Sequence, residues 1–137
     1  MRILLADDDP TYRELISCLL AEWGFTAVTA DNGQKAIELL QGDDPPKLAV
    51  LDWMMPEMDG FEVCRRIRQA NGDCVPYVLL MTGQSNRDEL VKLLVAGADD
   101  YIIKPFEPLD LKIRLRLAIR ILDLQEQCKP PKGTAAR

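Results

Sequence analysis

Five short apolar runs alternate with five helix-patterned segments along 137 residues, and few folds accept that alternation. Arg2–Ala6 reads as a buried strand, and Pro10–Trp23 as a helix that ends near Gly24. Phe25–Thr29 is a second strand. Asn32 then caps a helix running to about Leu40, and GDDPP at 42–46 is a loop. Lys47–Leu51 forms a third strand and Gly60–Gln69 the next helix. YVLLM at 77–81 is a fourth strand, followed by a helix over Asn86–Ala96 that stops at Gly97. Tyr101–Ile103 is a short fifth strand, and a long helix begins after Pro108. Five βα units in succession predict an α/β fold: a parallel sheet with helices on both faces and right-handed crossovers. The length suits one domain with its own core. We place that domain at 1–125 and read 126–137, which includes CKPPKGTAAR, as a tail or the start of a linker.

Ligands of such open sheets bind beyond the carboxyl ends of the strands, so the residues collecting there can be read directly. Strand one delivers Asp7 and Asp8, and strand three delivers Asp52. Strand four ends at Thr82, and strand five at Lys104-Pro105. Asp9, in ILLADDDPTY, has an ordinary explanation as a helix cap with Pro10 at the first helical position. Asp7 and Asp8 pose a sharper question. Two carboxylates ~5 Å apart repel by roughly 3 kcal/mol at an effective dielectric of about 20, which a nearby cation would relieve. Taken singly, these groups read as loop acids, a capping threonine and a surface lysine. Their convergence on one edge from four strands points to a site.

Composition narrows the chemistry. Histidine is absent, which excludes Ser-His-Asp and Cys-His catalysis and imidazole ligation of a metal. A metal here would be bound through oxygen, which favours magnesium or a similar hard ion. Cys18, Cys64, Cys74 and Cys128 are scattered without a C-x-x-C pair, so they indicate neither a zinc site nor a disulfide framework. Thiols of this kind fit a reducing cytosol. The net charge of −5 argues against a nucleic-acid-binding face. No apolar stretch approaches the ~20 residues that span a bilayer, and the N-terminus lacks a signal-peptide pattern. The expected location is cytoplasmic, without membrane contact.

Carboxylates around a hard cation leave coordination positions open for water and phosphate. With the metal on Asp8 and Asp52, a carboxylate oxygen of Asp52 can attack phosphorus in line. Lys104 and the cation would then absorb the charge developing on the phosphoryl oxygens, and the Thr82 hydroxyl would donate a hydrogen bond to one of them. The product would be an acyl phosphate, energetic and water-labile, suited to a signal.

The pieces ILLADDDP, LAVLDWMMPEMDGFEV, VLLMTG and GADDYIIKPF stand here in one order and spacing. The sequence resembles the receiver (CheY-like) domain of two-component response regulators over residues 1–125. That resemblance implies a five-stranded, doubly wound, flavodoxin-like (βα)5 fold with strand order 2-1-3-4-5. It implies Asp52 as phosphoacceptor, with Thr82 and Lys104 contacting the phosphoryl group. Magnesium would be ligated by Asp8 and Asp52, by Asp7 mainly through water, and by the Met54 backbone carbonyl. Tyr101 matches the switch aromatic, which turns inward when Thr82 moves, and Gly83 the small position that leaves it room. Lys104-Pro105 matches a cis peptide, and Met58, Asp59 and Gly60 the loop that closes the site. Met54 and Gln84 match positions that influence water attack on the phosphoryl group. The implied partner is a sensor histidine kinase or phosphotransfer protein, and the chain is not itself an enzyme.

Two rivals bear on the same residues. Asp7-Asp8-Asp9-Pro10-Thr11 also fits the D-x-D-x-T motif of haloacid dehalogenase-type phosphohydrolases, with Asp99-Asp100 imitating the second acid pair. That reading leaves Asp52 idle and puts Lys104 on the wrong side of the later acids. A receiver-like interaction module that is never phosphorylated would not need the full set of acids, threonine and lysine. Finally, LDLKIRLRLAIRILDL at 109–124 winds into a helix with two apolar stripes. Leu111, Leu115, Ala118 and Leu122 would face the sheet. Leu109, Ile113, Leu117, Ile121 and Leu124 would lie on another side, implying a homodimer contact or a linker into an output domain.

Overall fold

The computed structural model describes residues 1–70, 76–83 and 87–128. Cys74, Gln84 and Asn86 fall outside them, as do residues 129–137 of the tail. Strand and helix alternate throughout as β1 (Arg2–Ala6), α1 (Pro10–Glu22), β2 (Thr26–Ala30), α2 (Gly33–Gln41) and β3 (Leu48–Asp52). The series continues with α3 (Gly60–Ala70), β4 (Tyr77–Thr82), α4 (Arg87–Ala96), β5 (Asp100–Ile103) and α5 (Pro108–Gln127). The strands are all parallel, in the order β2-β1-β3-β4-β5 that the resemblance implies.

Successive strand side chains point to opposite faces of the sheet, and both faces are packed. Leu4, Ala6, Ala49, Leu51, Val78 and Leu80 join Ala36, Ile37, Val63, Ile67 and Leu93 from α2, α3 and α4. Ile3, Leu5, Val50, Leu79, Met81 and Ile102 join Ile16 and Leu20 of α1 and Leu111, Leu115 and Ala118 of α5. Each Leu or Ile fully buried in these layers stabilises by about 1.5–3 kcal/mol. The carboxyl edge of the sheet is therefore a fixed rim.

Local chemistry sets where each helix starts. The Asp9 carboxylate accepts the Thr11 N–H at 2.9 Å, with Pro10 at the start of α1. Asn32 accepts the Lys35 N–H at 2.8 Å at the head of α2, and Asp59 accepts the Glu62 N–H at 2.8 Å at the head of α3. β2 begins one residue later than Phe25 for a specific reason. Gly24, at φ +91, closes α1, and the Phe25 N–H donates back to the Leu20 carbonyl at 2.8 Å, so it is not available to the sheet. α5 starts at Pro108 and is unbroken across positions 125 and 126, continuing to Gln127. Its inner stripe is buried at Leu111, Leu115 and Ala118, whereas Leu109, Ile113, Leu117, Ile121 and Leu124 are exposed.

Candidate functional site

Hydrogen bonds of the sheet continue one residue past the strands and carry the acids and the lysine to the rim. The Asp7 N–H donates to Ala30 at 3.1 Å, the Trp53 N–H to Met81 at 2.8 Å, and the Lys104 N–H to Thr82 at 2.7 Å. Asp52 itself ends β3, in register with Met81. The Lys104–Pro105 peptide bond is cis. Backbone geometry thus aims Asp7, Asp52, Thr82 and Lys104 at one place.

Their side chains meet there. The Lys104 ammonium donates to Asp7 Oδ2 at 2.9 Å and lies 3.3 Å from Asp52 Oδ2. Asp7 is fully buried, and its second oxygen accepts the Asp9 N–H at 3.0 Å. Carboxylate oxygens of Asp7, Asp8 and Asp52 all lie within 4.8 Å of one another. Asp8 is the exposed member of this trio, so one wall of the cluster opens to solvent. An all-oxygen donor set of this span, partly open, fits a hard divalent cation. Thr82 is buried at the adjoining strand end.

The electrostatics reflect crowding. Burial, then repulsion from Asp7, pushes the Asp52 carboxyl from 3.8 up to about 6, with the Lys104 ammonium pulling the other way. Burial works against the Lys104 charge, yet its hydrogen bond to Asp7 and the two carboxylate charges hold its pKa above the usual lysine value.

Other expected residues are placed less tightly. Tyr101 is half-buried against the core on the α4 side, with the Arg114 guanidinium carbon 6.0 Å from its ring centroid. A Cβ added at Gly83 would meet nothing within 4 Å, so no described neighbour demands glycine there. The Met54 side chain is exposed. Asp99 and Asp100, which the phosphohydrolase reading needs beside Asp7, sit at the opposite end of β5 from Lys104. There Asp99 pairs with Arg68 at 2.5 Å and accepts the Val78 N–H at 2.8 Å, while Asp100 pairs with Arg114 at 2.9 Å. The second acid pair of a phosphohydrolase is therefore not assembled.

A profile of the response regulator receiver domain matches residues 3–116. The chain belongs to this family. As a receiver domain it is a signalling module of two-component phosphorelays. It is 42% identical over 126 residues to the response regulator MprA of Mycobacterium ulcerans, a match covering 92% of this chain and 53% of that protein. The chain spans about half the length of the curated relatives it matches. The signal receiver domain of a putative LuxO repressor protein from Vibrio parahaemolyticus is similar at a TM-score of 0.85 and 25% identity, covering 95% of this chain and 98% of that one. The receiver domain of Francisella response regulator 1452 is similar at a TM-score of 0.80 and 28% identity, covering 88% and 98%. Among the described residues, no helix is long and apolar enough to cross a membrane.

Several residues that shape this receiver site escaped the sequence reading. Arg13 donates to the Asp7 carbonyl at 2.7 Å, tying α1 to the acid-bearing turn. Tyr12 lies under the Lys104 ammonium, with the ring centroid 4.1 Å away. Gly33 permits a close approach, because a Cβ there would run into the Met58 carbonyl; Gly60, which the sequence reading placed in the closing loop, does the same against the Asp52 carbonyl. No sequence spacing links these partners. The usable signals were a glycine opening each of two helices, and an aromatic in the first turn after the acids.

Proposed function

We propose that this receiver domain accepts a phosphoryl group on Asp52, in a magnesium-dependent reaction, from a phosphohistidine of a sensor histidine kinase or phosphotransfer protein. The observation that carries the reading is the setting of Asp52. It ends the central strand with an ammonium 3.3 Å away and two further carboxylates within 4.8 Å. That setting offers a nucleophilic oxygen, a partner for an incoming anion and a seat for a cation.

Asp8 and Asp52, Asp7 mainly through water, and the Met54 carbonyl oxygen would hold Mg2+. Bound there, the ion supplies charge that relieves the acids' repulsion and polarises phosphoryl oxygens. Everything else falls to the chain. With acetyl phosphate as donor, a bond forms between an Asp52 carboxylate oxygen and phosphorus. The donor's P–O bond to the acetyl group breaks in line, and acetate leaves with the bonding pair. One carboxylate charge is consumed at Asp52 and one is released as acetate, so charge balances. Asp52 must be ionised to attack. Lys104, already between Asp7 and Asp52, follows the charge onto the phosphoryl oxygens, and the Thr82 hydroxyl donates to one of them. The outcome is one phosphoryl group per chain, with Thr82 and Tyr101 carrying the change to the face formed by α4, β5 and α5. Gly83 leaves room for that movement. Val91, Val95, Ile103 and the outer row of α5 are exposed on these elements, and we assign that surface to a second copy of the chain.

Labelling with acetyl phosphate tests the reading. The wild type should take up one phosphoryl group, mapped to Asp52 by mass spectrometry, and only with magnesium present. Asp52→Asn should take up none, and Asp8→Ala none even at high magnesium. Catalytic turnover of a generic phosphate ester, or undiminished labelling of Asp8→Ala, would overturn it. Thr82→Ala should still be labelled while its Tyr101 resonances stop responding to beryllofluoride.

A further inference from the structure

We infer that Tyr12 is a positioning residue for Lys104, its ring face holding the ammonium over the Asp7 and Asp52 carboxylates. The inference rests on the reading of Asp52 as phosphoacceptor. The ammonium lies 4.1 Å from the Tyr12 ring centroid, inside the ~6 Å within which a ring face attracts a cation. Among the described residues, Lys104 thus meets Asp7 at 2.9 Å, Asp52 at 3.3 Å, and the ring. The ring is itself braced. Phe106 meets it edge-on, with centroids 5.9 Å apart and planes at 69°, and both aromatics pack against the core on the α1 and α5 side.

This arrangement has a consequence for the reaction. A lysine ammonium is a compact charge on a flexible four-carbon stem, free to settle wherever an acid draws it. When Asp52 becomes an acyl phosphate, charge moves outward onto the phosphoryl oxygens, and the lysine must follow without leaving Asp7. Hydrogen bonds to carboxylates are directional and are lost when the ammonium shifts. The attraction of a ring face tolerates such a shift. Tyr12 stands in the first turn of α1, directly after the acids, and Phe106 directly follows Lys104-Pro105. The aromatic pair therefore joins the two segments that carry the opposite charges, and fixes the starting point of the lysine.

Nuclear magnetic resonance and labelling kinetics test this together. In the wild type, the ε-protons of Lys104 should resonate upfield of those of Lys35, Lys47 and Lys92, because they lie over an aromatic ring. Tyr12→Phe should keep that shift and label within about two-fold of the wild-type rate. Tyr12→Leu keeps apolar bulk but removes the ring. It should lose the shift and label about five-fold more slowly at saturating acetyl phosphate, with magnesium affinity unchanged by Trp53 fluorescence. Wild-type Lys104 ε-protons without an upfield shift would overturn the inference, with no variant needed. So would a Tyr12→Leu protein that labels at the wild-type rate. A wild type that takes no label on Asp52 would overturn the phosphoacceptor reading instead, and the ε-proton shift would still decide the contact.

Discussion

The Lys104 ammonium stands 2.9 Å from Asp7 Oδ2, and Asp7 is wholly shielded from solvent. Removing one member of a buried ion pair leaves an uncompensated charge, at a penalty of about 3–5 kcal/mol. Lys104→Met should therefore lower the stability of the metal-free protein by about 3 kcal/mol in urea titrations. Saturating magnesium should recover much of that loss, because a cation at the acids takes over the charge of the ammonium. The same variant should bind magnesium more tightly than the wild type. Equal stability of both proteins in chelator would show that the pair contributes nothing.

The raised carboxyl of Asp52 gives a pH dependence with a definite sign. Its pKa is 3.8 ordinarily and about 6 in the folded chain, owing to burial first and Asp7 second. Between those values the folded state holds the proton more firmly than the unfolded chain, so stability falls as pH rises through the window. A shift of this size corresponds to about 3 kcal/mol. Asp52→Asn removes the titration. In chelator, its stability relative to the wild type should be near zero at about pH 4 and favour the variant by about 3 kcal/mol at about pH 7.5. A difference that stays flat across the window would mean that Asp52 is not perturbed.

Gly60 is a tight point directly behind Asp52. Its N–H donates to the Trp53 carbonyl at 2.8 Å, and a Cβ there would collide with the Asp52 carbonyl oxygen, with Leu80 Cδ2 3.0 Å away. Gly60→Ala should destabilise by about 1–3 kcal/mol, because backbone must move to admit the methyl group. It should also displace Asp52 and slow labelling. Gly83→Ala, with open space around the added carbon, is the matched control for stability. Thermal unfolding of the two variants side by side checks the contrast.

Much of this was legible beforehand. The apolar run before Asp7 announced a strand, and Asn32 and Pro10 announced helix starts, because caps and φ constraints act locally. The two stripes of α5 could be separated because a helical period sorts inner Leu111 and Leu115 from outer Ile113 and Leu117. The set of acids was readable because parallel strands deliver their ends to one rim. The pairing within that set was not. That Lys104 is nearer Asp7 than Asp52, that Tyr12 lies under Lys104, and that Arg13 donates to the Asp7 carbonyl depends on how side chains pack. Strand edges shifted by one residue at Phe25 because its N–H closes the preceding helix, which competes with the sheet for the same donor.

The outer row of α5 yields a prediction about assembly. Leu109, Ile113, Leu117, Ile121 and Leu124 are each at least 40% exposed, a contiguous apolar strip along one side of the helix. Replacing Ile113 and Leu117 with Glu should leave folding and labelling intact and abolish a dimer that beryllofluoride promotes, followed by analytical ultracentrifugation. A wild type that stays monomeric at high concentration with beryllofluoride would remove the second-copy reading of this surface.

Asp7 and Lys104 are 97 residues apart in the chain, yet they share one proton-donor contact at the rim. During synthesis the acids and the acceptor emerge first, while the strand that brings the lysine arrives last and pairs at the sheet edge. A nascent or prematurely ended chain therefore displays Asp52 without the ammonium that reads its charge. On the phosphoacceptor reading, uptake of a phosphoryl group at Asp52 would then require the last strand to have joined the sheet, which ties the chemistry of the rim to completion of the fold.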